Sequence, residues 1–203
     1  MALSPERYAV LKGYSRVLVR ALDEKDAVTC RHCERLIALA DAFGRQCQLE
    51  SGDLRHLRLA AALHDVGKIG IRDAVLRKPG KFDEDEWREM QTHSERGQRI
   101  VRAIELEGAH DIGLAIRHHH EDFDGCGYPD RLGGEDIPYM ARLVAIIDAY
   151  DAMGEPRPYH PRRGHDEIMA VLEDERGGRF DPWLLTQFAA MIDGSPLRVA
   201  DRG

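Results

Sequence analysis

Apolar residues recur along the chain at the spacing of one face of an α-helix. Leu36, Leu39, Ala40 and Phe43 follow the i, i+3, i+4, i+7 pattern, and similar segments follow in succession. The predicted helices cover about 5–22, 27–44, 51–67, 83–92, 94–107, 109–119, 138–153, 165–174 and 182–193. Because no strand-length alternation with turn residues interrupts this series, we predict an all-α fold in a single domain.

Two stretches and the chain's beginning depart from the central pattern. Residues 121–138 are rich in Gly, Asp and Pro, and residues 154–164 in Pro and Arg, so both are predicted loops. Residues 1–26 are predicted to form one amphipathic helix, which either packs on the main domain (27–193) or pairs two subunits in a homodimer. Its apolar face is made by Val10, Tyr14, Val17 and Leu18, and residues 194–203 form a tail.

The composition excludes several classes of protein. Of 203 residues, 43% are hydrophobic and 32% charged, as in ordinary globular proteins. A net charge of −7 argues against a nucleic-acid polymer as partner, and the few aromatic residues offer no stacking platform for single strands. With no membrane-length apolar run, no signal peptide and no disulfide framework, we predict a cytoplasmic protein without a membrane partner.

The ten histidines suggest where the chemistry is, because several of them extend apolar helix faces. His64 follows the stripe of Leu57 and Ala60, His119 continues the stripe of Ile112, and His32 lies on the inward face of its helix. One such histidine is usually a satisfied core residue. Several together would each cost about 1–3 kcal/mol on burial, unless a common metal centre binds them.

Carboxylates accompany these histidines. Asp65 adjoins His64, and Asp148 interrupts an apolar helical run, where an aspartate is unfavourable unless a cation meets it. Asp151 lies three residues further on the same side, either as a solvated carboxylate or as a support for a ligand. This many imidazoles and carboxylates exceeds the needs of one zinc ion. They favour two octahedral ions, iron or manganese, bridged by an aspartate and a solvent hydroxide.

Lys68 and the cysteines each allow two interpretations. Lys68 projects beside His64 if the helix continues, where its ammonium could bind a phosphate oxygen, but it could also be an ordinary lysine at a helix end. Cys30 and Cys33 bracket His32 and could suggest zinc. No second cysteine pair exists, and thiols at this helical spacing more often pack in the interior.

Two blocks of residues resemble a known family. His64-Asp65-Val66-Gly67-Lys68 resembles the HD motif of the HD-domain phosphohydrolases. The segment from His119 to Pro129, with Gly127-Tyr128-Pro129 at its end, is similar to the block that defines the HD-GYP subgroup. Further blocks around His93, Asp148 and Arg157 occur in the family's order, so the resemblance covers roughly 27–190.

The resemblance implies a helical bundle of the HD phosphohydrolase type, which hydrolyses cyclic di-GMP either to linear pGpG or onward to GMP. It implies attack by a hydroxide that bridges two iron or manganese ions, with Asp65 and Lys68 as catalytic residues. Lys68 and Arg157 would hold substrate phosphate, Tyr128 would lie on the substrate side, and His118 has no counterpart among the ligands. The implied metal ligands are His32, His64, Asp65, His93, His119, His120 and Asp148.

Three departures from the family pattern qualify this expectation. Val28 stands where some members have a glutamate that helps to bind a third metal, so we predict two metals. His160 stands where a lysine or arginine often follows the Arg-Pro-Tyr triplet, which weakens phosphate binding or makes it pH-dependent. Gly154-Glu155-Pro156 replaces a link that usually contains Ser or Thr.

Two other functions remain open. The chain could be a regulatory module of low activity, which contacts a diguanylate cyclase or another signalling protein through the GYP loop. It could also be an HD phosphohydrolase that acts on another nucleotide. All seven expected ligands are present, which favours the enzyme over the regulatory module.

Overall fold

A computed structural model describes residues 3–25, 29–155 and 163–201. Within these ranges no strand occurs, and the prediction of an all-α fold is confirmed. The helices are α1 (Pro5–Asp23), α2 (Thr29–Gln46), α3 (Ser51–Leu63), α4 (Asp73–Leu76), α5 (Glu84–Arg102), α6 (Ala109–His118), α7 (Tyr139–Gly154), α8 (His165–Asp174) and α9 (Pro182–Ile192), with 3₁₀ helices at Val66–Gly70 and Gly134–Asp136.

Helix α7 forms the centre of the core. Leu143, Ile146 and Ile147 are fully buried, and α2, α3, α6, α8 and α9 all pack against this helix. A helix that is apolar on nearly all sides is stable only in such surroundings. Its position brings Asp148 and Asp151, the two acidic residues of the helix, to the interior of the bundle, where both contact His32.

Helix α3 ends earlier than the apolar pattern predicts. It stops at Leu63, and the chain continues as the 3₁₀ helix Val66–Gly70 instead of extending to residue 67. The cause lies at Gly67, which is pressed against α5: a Cβ atom there would lie 1.8 Å from the carbonyl oxygen of His93. The expected helical alignment of Lys68 with His64 is therefore wrong.

Helix α5 is continuous, whereas two helices, 83–92 and 94–107, were expected. No proline or glycine interrupts it between those segments, and the hydroxyls of Thr92 and Ser94 donate to carbonyls three residues back. These local hydrogen bonds satisfy the polar side chains without breaking the helix. The short helix α4 was not predicted.

Helix α1 packs on the domain through a face that shares only Leu18 with the expected one. Leu11 and Leu22 are buried against the bundle and Leu18 is partly buried beside them, whereas Val10, Tyr14 and Val17 are 50–68% exposed. Just after the helix, the Lys25 ammonium donates to the carbonyls of Ile69 and Ile71, which ties the end of α1 to the 3₁₀ helix. Among the described helices, none has the length and apolar character needed to cross a bilayer.

Candidate metal centre

Two groups of potential ligands lie side by side in the interior. In the first group, ligand atoms of His32, His64 and Asp148 lie within 4.8 Å of one another. In the second, His93, His119 and His120 do the same. The six residues come from α2, the end of α3, α5, the end of α6 and α7, so the fold brings together side chains that are distant in sequence.

Asp65 lies between the two groups. Its Oδ2 atom is 3.4 Å from His64 Nε2, and its Oδ1 atom is 3.5 Å from His93 Nε2. On the first group's side, Asp148 Oδ1 lies 3.3 Å from His32 Nε2 and 3.5 Å from His64 Nε2. A carboxylate with one oxygen directed at each group has the geometry to bridge two cations.

The imidazoles are oriented by hydrogen bonds from their Nδ1 atoms. His64, His93 and His119 each donate from Nδ1 to the carbonyl three residues earlier, at 2.7–2.9 Å. This fixes the tautomer of the neutral ring, because a neutral imidazole with its proton on Nδ1 presents an unprotonated Nε2 atom. In each of these rings, Nε2 is the atom that points toward Asp65 or the neighbouring imidazoles.

His32 is oriented by a carboxylate instead. Its Nδ1 atom lies 2.6 Å from Asp151 Oδ2, and Asp151 also accepts hydrogen bonds from Arg35 Nε and Nη2 at 2.7 and 2.9 Å. Asp151 is therefore not a solvated residue; it is buried and supports the ring of His32. Arg35 was missed in the sequence, although its position three residues after His32 places both on one side of α2.

The electrostatics differ between the two groups. Burial would lower the pKa of His64, but the carboxylates of Asp65 and Asp148 raise it to about 10. Burial, together with the imidazoles of His64 and His93, lowers the pKa of His119 to about 3. The first group is thus a site of strongly negative potential, and the second presents a neutral imidazole ready for ligation.

These residues fit divalent cations. The Nε2 atoms of His64, His93 and His119 are buried and make no hydrogen bond with any described residue. Buried polar atoms left in that state cost about 1–3 kcal/mol each, and a cation that binds them removes the cost. Lone pairs of imidazole beside ionised carboxylates are the donor set that iron, manganese and zinc accept.

Lys68 and Tyr128 lie beside different ligands of the same centre. The Lys68 ammonium lies 2.5 Å from Asp65 Oδ2, on the side of the bridging carboxylate. The Tyr128 ring stacks on His120 with 4.9 Å between ring centroids, and burial raises the pKa of the phenol, which stays protonated. Gly127 allows this turn, because a Cβ there would lie 2.2 Å from the amide nitrogen of Asp122.

His118 points away from the ligand groups and holds the loop that carries Tyr128. Its Nε2 atom lies 2.8 Å from Asp130 Oδ2, and Arg117 donates to both oxygens of the same carboxylate. The Glu121 carboxylate in turn accepts from the backbone amide of Asp130. These contacts anchor the loop to the end of α6. Ligand atoms of His118, Glu121 and Asp130 lie within 4.8 Å of one another, and the expectation that His118 is no metal ligand stays a prediction.

Several residues with a predicted role have side chains outside the described part of the chain. Arg157, His160, Val28 and Cys30 lie where the structure describes no side chain, so the structure does not bear on their expected roles. Cys33 is buried and its thiol donates to the carbonyl of Ala62, as expected for a packed residue.

A family model described as an HD domain matches residues 16–184. The chain belongs to the HD domain family. A cyclic di-GMP phosphodiesterase response regulator of Xanthomonas campestris is 40% identical to this HD domain over 165 residues, which are 81% of this chain and 44% of that protein. A 3′3′-cGAMP-specific phosphodiesterase of Vibrio cholerae is 36% identical over 163 residues, 80% of this chain and 35% of that protein. The chain spans less than half the length of these relatives.

Solved structures agree on the fold. A cyclic GMP-AMP-specific phosphodiesterase of V. cholerae matches with a TM-score of 0.68 at 20% identity, covering 90% of this chain and 49% of that one. An HD-G"Y"P protein of Bdellovibrio bacteriovorus matches with a TM-score of 0.64 at 18% identity, covering 93% and 63%. The predicted helical bundle of the HD type is confirmed.

Proposed function

We propose that this HD domain is a metal-dependent phosphodiesterase that hydrolyses cyclic di-GMP, either to linear pGpG or onward to GMP. The observation that carries the proposal is the position of Asp65, with one carboxylate oxygen directed at each of two buried ligand groups. The names of the two relatives support a cyclic dinucleotide as substrate. Because one of them is named for 3′3′-cGAMP, that dinucleotide is the second candidate.

The proposed cofactors are two divalent ions, iron or manganese. His32, His64 and Asp148 would hold one ion, His93, His119 and His120 the other, and Asp65 would bridge them. Bound there, the ions would lower the pKa of the attacking solvent and neutralise charge on the phosphoryl group. The expectation of two metals instead of three rests on Val28, which cannot ligate.

The remaining residues bind and orient the substrate in this proposal. Lys68 offsets the charge of Asp65 and donates to a non-bridging phosphate oxygen, and Arg157 holds a second phosphate oxygen. The Tyr128 phenol, kept protonated by burial, donates a hydrogen bond from the side of the loop. The cytoplasmic location and a signalling-protein partner at the GYP loop remain predictions.

Metal analysis of the anaerobically purified protein, combined with chromatography of cyclic di-GMP and 3′3′-cGAMP after incubation, tests the proposal. We expect two equivalents of iron or manganese and the appearance of a linear dinucleotide. Two tightly bound metals without any product would favour the regulatory module. Product formed at full rate by protein stripped of metal would overturn the mechanism.

A further inference from the structure

Trp87 is a large aromatic side chain left 47% exposed beside the metal centre. It lies on α5, six residues before His93. Its ring lies 6.2 Å from that of Tyr128, at an interplanar angle of 77°. Because Tyr128 itself stacks on His120, a series of aromatic rings leads from the metal centre to the surface and ends at Trp87.

Part of this arrangement has a local explanation. Asp83 caps α5, so Phe82 and Trp87 occupy the positions that form a hydrophobic staple, and their rings lie 6.3 Å apart and nearly parallel. A staple needs only apolar contact, which leucine would provide equally well. It does not account for the contact with Tyr128, which comes from a loop 41 residues further along the chain.

The charge of the site limits what the exposed ring can bind. The centre beside it is lined with ionised carboxylates, so a phosphate is attracted only where cations are bound. The rim at Trp87 offers ring faces instead. Nucleobases stack on such faces whatever their hydrogen-bonding pattern, because every base has a π-face. Tyr128 lies between this rim and His120, so a base stacked on Trp87 would lie next to the candidate metal centre.

We propose that Trp87, supported by Phe82 and Tyr128, is the stacking platform for a purine base of the cyclic dinucleotide. The inference rests on the proposed function and adds a residue that binds the base instead of the phosphate. It predicts that Trp87 governs substrate affinity and leaves the chemical step largely unchanged.

A substitution series separates stacking from the staple. Trp87→Leu keeps an apolar side chain but has no π-face, whereas Trp87→Phe keeps both. We expect the KM for cyclic di-GMP to rise about 5- to 100-fold in Trp87→Leu and much less in Trp87→Phe. In both variants kcat should stay within about threefold of the wild-type value. The metal content and the urea unfolding midpoint should be unchanged. Trp183→Leu, which alters an exposed tryptophan on α9, is the matched control and should change none of these.

Fluorescence provides a direct measure of binding, because the chain has two tryptophans. In Trp183→Phe, Trp87 is the single emitter, and a slowly hydrolysed phosphorothioate analogue of cyclic di-GMP should quench it saturably, while inorganic phosphate should not. A KM within twofold of wild type in Trp87→Leu, or unchanged Trp87 emission at saturation, would show that Trp87 is not the stacking platform. Either result would leave the proposed function intact. If the wild-type protein neither binds nor hydrolyses a cyclic dinucleotide, the proposed function fails and the platform with it.

Discussion

The imidazoles of the candidate centre depend on partners that are not ligands themselves. For His64, His93 and His119 the partner of Nδ1 is a backbone carbonyl, which substitution cannot remove. For His32 the partner is the Asp151 carboxylate. Asp151 is therefore the position at which support of a ligand can be changed without changing the ligand.

We predict that Asp151→Asn weakens metal binding about 10- to 100-fold, because the amide cannot hold the Nδ1 proton of His32 as strongly as the carboxylate does. Competition with a chelator, followed by metal analysis, measures the change. Asp41→Asn is the control, since Asp41 also forms ion pairs, with Arg45 and Arg58, but outside the centre. Equal metal affinity in the two variants would show that Asp151 does not support a ligand.

Replacing Asp65, the proposed bridging residue, should affect both of the proposed metals. Asp65→Ala removes both oxygens that lie between the two ligand groups. We expect turnover to fall at least about 10³-fold and the metal content to fall from two equivalents to one or none. Product chromatography and metal analysis of the same sample measure the two effects. Full activity of Asp65→Ala would contradict the bridging role.

His56 predicts a pH dependence of stability that is separate from the metal centre. Burial lowers the pKa of this α3 histidine, so its folded-state pKa lies below its unfolded value of about 6.5. The unfolded chain then binds the proton more readily, and the stability contribution present above pH 6.5 is lost as the pH falls below it. The urea midpoint should therefore drop less between pH 7.5 and 5.5 in His56→Gln than in wild type.

The exposed histidine of α6, His110, gives the control for that experiment. His110→Gln removes an imidazole that is exposed in the folded protein, so it measures what the loss of a histidine alone does to the pH dependence of the urea midpoint. An identical drop in His56→Gln and wild-type protein would mean that His56 does not bind protons differently in the folded and unfolded states.

The sequence predicted the residues of the centre better than the hydrogen bonds that orient them. Apolar stripes that end in histidine indicated His64 and His119, and the resemblance supplied His93 and His120. The hydrogen bonds of the Nδ1 atoms depend on how each ring is oriented. The Asp151–Arg35 pair depends on the distance between α2 and α7. Neither quantity can be predicted from the spacing of residues along the sequence. The position of Trp87 could not be predicted from the small number of aromatic residues, because that number does not show which rings lie close together. Its neighbour Tyr128 is remote in sequence.

At the scale of elements, the junction of the 3₁₀ helix Val66–Gly70 with α5 positions Asp65 against His93. The backbones approach so closely at Gly67 that only glycine fits. Hydrophobic periodicity predicted where most helices lie, but it could not reveal this approach, because the constraint comes from a neighbouring element. For the same reason the apolar pattern predicted that α3 continues to residue 67, where the structure has a 3₁₀ helix.

We predict that Gly67→Ala lowers the free energy of unfolding by about 2–4 kcal/mol and reduces metal content, because the added methyl group must displace the 3₁₀ helix from α5. Gly13→Ala is the control: it lies in α1 with nothing within 4 Å of the added atom. That substitution should stabilise the protein by about 0.5–1 kcal/mol. Urea unfolding measures both, and equal stability of the two variants would contradict the close approach.

For the molecule as a whole, α1 is expected to be an integral part of the domain. Leu11 is buried against the bundle, whereas Val17 on another face of the helix is 68% exposed. Leu11→Ala should cost about 2–4 kcal/mol of unfolding free energy, whereas Val17→Ala should stay within about 0.5 kcal/mol for the monomer. If both cost the same, and the cost depends on protein concentration, the outer face is a subunit interface.

The two-sided character of α1 has a mechanical consequence. One side of the helix packs on α3, which leads into His64 and Asp65. Just after the helix, Lys25 donates hydrogen bonds to two carbonyls of the segment that follows Lys68. Because these hydrogen bonds tie the end of α1 to the segment that follows Asp65, a displacement of the helix would strain them. A molecule that binds the exposed residues Val10, Tyr14 and Val17 would therefore contact a helix that is joined to this segment.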